Sequence, residues 1–211
     1  MISPPEQFFA NAHISQDDTK ASWGRTLTVL WPGEITPTNE RHNTMTTKTG
    51  ASFARGKSNQ NYQTPWELIR SVEKRFGKIC IDLAATEADR RCPVFIPPEQ
   101  NSLKGDWGNR VVGTAWLNPP FGDITPWARK CSEWLLGYRS AGSIIIMLTP
   151  ASVGSNWWRD YVHNRARVAF LNGRIKFVGA NDPYTKDCAL SVYGLNPGCE
   201  GYEVWDWRKG A

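Results

Sequence analysis

Long apolar runs are missing from this 211-residue chain. The longest, Ser143-Ile144-Ile145-Ile146-Met147-Leu148, falls far short of the roughly 20 residues that a membrane-spanning helix needs. A secretory leader is not expected either, because Pro4, Pro5 and Glu6 interrupt the stretch where its apolar core would stand. Histidine is scarce, and His13, His42 and His163 fall at no zinc-ligand spacing. Five cysteines (Cys80, Cys92, Cys131, Cys188, Cys199) form no C-x-x-C pair and are odd in number. They read as buried or incidental thiols of a reducing cytoplasm, so neither a metal nor thiol chemistry has ligands to stand on. No internal repeat is visible. With 40% hydrophobic residues, the composition excludes membrane, collagen-like and wholly disordered classes and leaves a soluble globular protein.

What is present is more telling. Lys and Arg number 25 against 20 Asp and Glu, a net charge of +5 that permits a polyanionic partner. Most of the eleven tryptophans are expected in the core, and an excess of aromatics also suits a protein that stacks on bases. Residues 1–62 read as a polar, flexible arm with one short strand candidate at 26–31. The folded domain is expected over 63–211.

Within it, Thr64-Pro65-Trp66-Glu67 reads as a capping box with proline at the first helical position. Trp66, Ile69, Val72 and Phe76 then recur at helical spacing, and Gly77 ends the helix. Strands are predicted at 79–84, 93–96, 114–118, 143–148, 189–193 and 202–207. A helix begins at Thr125-Pro126, and another is capped by Ser155. Residues 167–171 and 174–177, joined by Asn172-Gly173, predict a tight hairpin. Strands alternating with helices, then a hairpin, give an α/β sheet that is mostly parallel with an antiparallel edge.

The sharpest chemical feature is Asn118-Pro119-Pro120-Phe121, directly after a strand. In an open parallel sheet, ligands bind beyond the carboxyl ends of the strands, where this tetrapeptide stands. An amino nitrogen conjugated to an aromatic ring is a poor nucleophile because its lone pair is delocalised. The Asn118 side-chain oxygen and the Pro119 carbonyl can each accept one hydrogen bond from such an amine and draw it toward tetrahedral geometry. Pro119 and Pro120 stiffen the turn, so these acceptors are aimed in advance. Phe121 offers a face on which a flipped base can stack. A basic stretch, Arg159, Arg165, Arg167, Arg174 and Lys176, is opposed in sequence only by Asp160 and suits a phosphate backbone.

Asn-Pro-Pro-Phe resembles the catalytic motif of S-adenosylmethionine-dependent amino-group methyltransferases. With Gln63-Thr64-Pro65-Trp66, Ile81-Asp82-Leu83-Ala84-Ala85, Asp106-Trp107 and Phe170-Leu171-Asn172-Gly173-Arg174-Ile175-Lys176-Phe177, residues 62–194 resemble the DNA N6-adenine methyltransferases of bacteriophages and prophages. The resemblance implies a Rossmann-like methyltransferase fold with S-adenosylmethionine as its only cofactor. It implies that Asp82, with Ala84 beside it, meets the amino group or sugar of that cofactor. Asp106 and Trp107 would hold the cofactor's adenine, Thr64 and Pro65 its methionine end, and Glu99 its ribose. The implied partner is double-stranded DNA, met by a monomer or weak homodimer in the bacterial cytoplasm to modify phage DNA against restriction. Two departures stand out. No G-x-G loop follows the first strand, and Asp89 occupies a position where an amide is expected. Methylation of a protein glutamine amide, which can use the same motif, remains an alternative. So does a non-catalytic DNA-binding module on a degenerate scaffold.

Overall fold

Seven consecutive buried residues make the axis of the sheet. In the computed structural model this is β3 (Ile144–Pro150), and every one of its side chains is buried. Such a strand must be covered on both faces, which requires helices above and below it. The structure describes residues 62–137, 140–195 and 201–210, all within one compact unit. The N-terminal arm and its strand candidate at 26–31 lie outside them, as does Cys199.

The remaining elements follow in chain order: α1 (Trp66–Phe76), β1 (Ile79–Asp82), β2 (Thr114–Leu117), α2 (Thr125–Leu136), α3 (Asn156–Tyr161), β4 (Arg167–Leu171), β5 (Cys188–Tyr193) and β6 (Gly201–Trp205). The sheet has six strands in the order β1-β2-β3-β5-β4-β6. The pairs β1–β2, β2–β3 and β4–β6 run parallel, and β5 runs antiparallel to both neighbours. Three parallel pairings of five make this a mixed, mostly parallel α/β sheet.

Alternation along the strands splits the core into two layers. Ala115, Leu117, Ile145, Met147, Val168 and Ala189 face α2 and α3. Trp116, Ile146, Leu148, Ala169, Leu190 and Leu171 face α1 and the short 3-10 turn Trp207–Gly210. Among the described residues, no helix is long and apolar enough to cross a membrane.

Several local expectations are corrected. The hairpin fails because β4 has no open side: β5 takes one edge and β6 the other. Residues 174–178 instead run extended over the surface, with Ile175 and Phe177 buried and Arg174, Lys176 and Val178 exposed. Their backbone bonds go elsewhere, Val178 N–H to the Gln63 carbonyl and Tyr184 N–H to that of Ile175. The antiparallel strand is therefore β5, inside the sheet and not at its edge. The capping box fails too, because Pro65 itself is the N-cap and its carbonyl accepts from Leu68 and Ile69. That offset leaves the Thr64 hydroxyl buried without a hydrogen-bond partner among the described residues. Trp66 is on the outer side of α1, 49% exposed, while Leu68 and Ser71 join Ile69 and Val72 in the interior. The segment 93–96 makes only a single bridge, Phe95 to Asp82, because prolines at 93, 97 and 98 deny it further donors. Ser155 does precede α3, yet its hydroxyl donates to the Ser152 carbonyl and leaves the helix amides alone.

Two glycines with positive φ separate conformational strain from steric conflict. At Gly142 (φ 75°) an added Cβ meets nothing within 4 Å, whereas at Gly194 (φ 92°) it lies 2.5 Å from the Ser143 carbonyl oxygen and 3.2 Å from the Trp134 ring. Gly142→Ala should cost only the left-handed penalty of about 1–2 kcal/mol. A domain of this size loses roughly 2–4 °C of Tm per kcal/mol. Gly194→Ala should lower Tm by clearly more, because a strand carbonyl cannot step aside. Equal shifts in thermal melts would show that the end of β5 relaxes.

Candidate active site

β1 and β2 pair in parallel with Asp82 opposite Trp116, so their carboxyl ends emerge side by side. Asp82 closes the first strand and Asn118 follows the second. Between them opens a cavity of about 290 Å³, at the lower end of the roughly 300–1,000 Å³ typical of ligand pockets. Thr64, Asp82, Ala84, Arg91, Asn118 and Pro120 are among its lining residues.

Asp82 is held by the loop it begins. Its Oδ1 accepts the Ala84 N–H at 3.3 Å and its Oδ2 accepts the Arg91 N–H at 3.0 Å. Burial pushes its carboxyl up from 3.8 to about 6, against the pull of those two amides, and the nearby Asp89 carboxylate adds to the rise. Asp89 is itself occupied, accepting from the backbone and hydroxyl of Thr86. A carboxylate so costly to ionise gains from a cation brought into the cavity.

Arg91 lies 6% exposed on the same wall. Its guanidinium carbon sits 5.0 Å from the centre of the Trp66 ring, while Nε and Nη2 have no partner among the described residues. Burial lowers its pKa, and the carboxylates of Asp82 and Asp89 oppose that shift. No motif in the sequence marks this arginine. Only the return of loop 83–93 onto Asp82 brings it to the cavity.

Asn118 shows the reverse pattern, one end fixed and one end open. Its Nδ2 donates to the Tyr62 backbone carbonyl at 2.5 Å, and a carbonyl can only accept, so the amide orientation is set. The Oδ1 is buried and without a partner among the described residues. Behind it stand four rings. The Tyr62 ring centre is 5.2 Å from Phe121, 4.9 Å from Phe177 and 5.2 Å from Tyr184. The interior location pushes the Tyr184 phenol up to about 12. Tyr62 and Trp127 also line the cavity, although no motif in the sequence marks either as a site residue.

The structure thus gathers Thr64, Asp82, Ala84, Asn118 and Pro120 around one space. Pro65 is set back as the N-cap of α1, Pro119 is buried, and Phe121 belongs to the ring cluster. Glu99 is exposed on the 3-10 turn Pro98–Gln100, between the cavity-lining Pro98 and Asn101. Asp106 lies outside the cavity, where it accepts from the Gly108 amide and the Asn109 side chain. Trp107 is buried one layer behind, with Nε1 donating to the cavity-lining Ser102 and the Lys130 ammonium 4.9 Å from its ring centre. No group of three or more His, Cys, Asp or Glu able to hold a metal occurs among the described residues.

The basic stretch does not act as one unit. Arg159 pairs with Asp160, Arg167 with Glu203, and Arg174 loosely with Asp187 at 3.8 Å, so Asp160 is not its only opponent. Arg165 is half-buried. Arg174 and Lys176 are exposed on either side of the buried Ile175, on the segment whose Phe177 packs on the cavity-lining Tyr62.

Residues 52–190 match the family model described as DNA N-6-adenine-methyltransferase (Dam). The chain is 33% identical over 111 residues to the DNA N-6-adenine-methyltransferase of Escherichia phage T1, covering 52% of this chain and 44% of that protein. It is 30% identical over 120 residues to the DNA N-6-adenine-methyltransferase of Haemophilus phage HP1, covering 56% and 65%. The matched part of the chain therefore spans less than two thirds of either relative.

The burial of Asp82 has a signature in folding. Its folded pKa is raised, so between pH 3.8 and about 6 the folded state holds a proton that the unfolded chain has lost. Stability contributed by this group is then present at low pH and lost as pH rises through about 6. The unfolding free energy of wild type, measured relative to Asp82→Asn, should fall by about 2–3 kcal/mol from pH 4 to pH 7. Loss of one backbone hydrogen bond in the variant offsets both ends equally. A difference that stays flat across that range would mean an ordinary carboxylate.

Proposed function

The chain belongs to the DNA N-6-adenine-methyltransferase (Dam) family, and we propose that it transfers a methyl group from S-adenosylmethionine to the N6 amine of an adenine flipped out of duplex DNA. The observation that carries this reading is the Asn118 carboxamide, locked at its nitrogen by the Tyr62 carbonyl and open at its buried oxygen. An adenine amine delivered there donates one hydrogen to Asn118 Oδ1 and the other to the Pro119 carbonyl. Both acceptors are fixed in advance, so little reorganisation accompanies the change of the nitrogen toward tetrahedral geometry. Phe121, backed by Tyr62, Phe177 and Tyr184, gives the flipped base an aromatic wall.

The cavity suits the cofactor on chemical grounds. S-adenosylmethionine, when bound, supplies an electrophilic methyl group on a sulfonium. Asp82 can pair with its ammonium and regain the cost of ionising in the interior. Thr64 brings a buried hydroxyl without a partner among the described residues, and Ala84 leaves room at the strand end. In this reading the sheet is Rossmann-like, with the cofactor across the carboxyl ends of β1 and β2 as in other open α/β sheets. Glu99 serves the ribose, and Trp107 with Asp106 stiffens the wall near the cofactor's adenine. Arg174 and Lys176, exposed on the segment that carries Phe177, contact phosphates.

Incubation with adenine-containing duplex DNA and labelled S-adenosylmethionine, followed by nucleoside analysis, should yield N6-methyladenine. Binding of cofactor without any product would favour a degenerate scaffold. Asn118→Ala should lower kcat by about 100- to 1,000-fold while cofactor binding survives, because this residue acts on the amine. Near wild-type turnover would remove it from the chemistry. For the DNA contacts, Arg174→Ala and Lys176→Ala should each flatten the slope of log K against log salt by about 0.9, and the double variant by nearly twice that. An unchanged slope in the folded double variant would make them ordinary surface cations.

A further inference from the structure

A guanidinium in the interior ordinarily spends its N–H groups on acceptors, because an unmade hydrogen bond there costs the desolvation of the donor. Arg91 does not: Nε and Nη2 are buried with no partner among the described residues. The nearby anion does not use them. Asp82 takes the backbone N–H of Arg91, and the guanidinium lies on the Trp66 ring instead. The cation–π contact leaves Nε and Nη2 uncommitted, two donors suited to a planar anion. Thr64 is the neighbouring case. Its hydroxyl is also buried without a partner among the described residues, on a cavity-lining residue two positions before Trp66.

A cavity with unused donors at Arg91 and Thr64, and with an acceptor at Asp82 whose hydrogen bonds come from backbone amides, is matched to a ligand carrying both charges. A phosphate dianion fits poorly, since Asp82 and Asp89 stand on the same lining. A carboxylate next to an ammonium fits. We propose that Arg91, assisted by the Thr64 hydroxyl, binds the α-carboxylate of the cofactor's amino-acid end while Asp82 binds its ammonium. Arg91 is thereby the residue that selects the intact zwitterion. This rests on the reading of the cavity as the S-adenosylmethionine site and adds to it the group that is recognised there.

The test is calorimetric binding of S-adenosylmethionine and of its decarboxylated analogue, which keeps the amine, to the full chain and to Arg91→Met and Arg91→Lys. The wild type should favour S-adenosylmethionine by about 30-fold or more, the usual scale for a buried charge pair with one member removed. In Arg91→Met that preference should collapse, with affinity for the decarboxylated ligand nearly unchanged. Arg91→Lys should restore part of it. Equal losses for both ligands in Arg91→Met would assign the arginine to support of the loop and overturn the proposal. So would a wild type that binds both ligands equally, a result that needs no variant to fold. A wild type that binds neither would overturn the cofactor reading itself, and this proposal with it.

Discussion

The cavity end of the sheet is organised by one carboxylate that the protein keeps in its interior. Asp82 is a strand residue, a loop anchor and a lining group together. Its main chain pairs with β2, receives the Ile96 amide and donates to the Val94 carbonyl, while its side chain takes the amides of Ala84 and Arg91. Those bonds fold residues 83–96 back over the strand end and create a concave wall with no G-x-G turn. In a glycine-rich turn the backbone itself approaches the ligand. Here side-chain-to-backbone bonds do the shaping, which accounts for an Asp-Leu-Ala-Ala-Thr segment in that place.

The opposite wall is built by preorganisation from a distance. Asn118 is oriented by a carbonyl 56 residues earlier in the chain, at Tyr62. Tyr62 is held in turn by rings from the tetrapeptide and from the segment after β4. Three separate stretches therefore fix one amide. The cost is visible in the unsatisfied groups: Asn118 Oδ1, Thr64 Oγ1 and two nitrogens of Arg91 are buried without partners among the described residues. Buried groups of this kind are destabilising until a partner completes them. Thr149 Oγ1, Ser191 Oγ and Trp207 Nε1 are scattered elsewhere, whereas these four atoms belong to residues lining one cavity, and that concentration is the physical argument that the cavity is a site.

Much of this was legible in the sequence where a local pattern has a single tertiary solution. A run of Ile144, Ile145 and Ile146 can only be a strand covered on both faces, and Asn118 before two prolines can only end one. The failures have the same logic. Asn172-Gly173 does turn the chain, with Gly173 at φ 79°, but β6 arrives from residues 201–205 to take the edge that a hairpin would have used. Thr64 and Glu67 have the letters of a capping box, yet a one-residue shift at Pro65 turns the hydroxyl from helix cap to cavity wall. Arg91 carried no local sign at all. Its position follows from a long-range fold of the loop onto Asp82, and its chemistry from a stacking partner 25 residues away.

The distribution of positive charge follows from the same edge strand. β6 docks on β4 beside α1, and Glu203 lies between Arg75 of α1 and Arg167 of β4, at 2.7 and 3.2 Å. Partial burial works against the Glu203 carboxylate, but hydrogen bonds from both arginines hold it below the usual range. Arg75 also sits 4.9 Å from the Trp205 ring centre and 5.1 Å from that of Phe76, so its cation clamps strand to helix. These two arginines are engaged by the architecture. Arg159 is paired along its own helix. What the fold leaves displayed next to the aromatic wall is the extended segment after Gly173, where alternation turns Arg174 and Lys176 outward as it turns Ile175 and Phe177 in. Had those residues formed the second arm of a hairpin, their backbone would have been committed to β4. Because β6 occupies that edge, the segment is instead laid against Gln63, with Phe177 packed on the Tyr62 ring and its cations facing solvent.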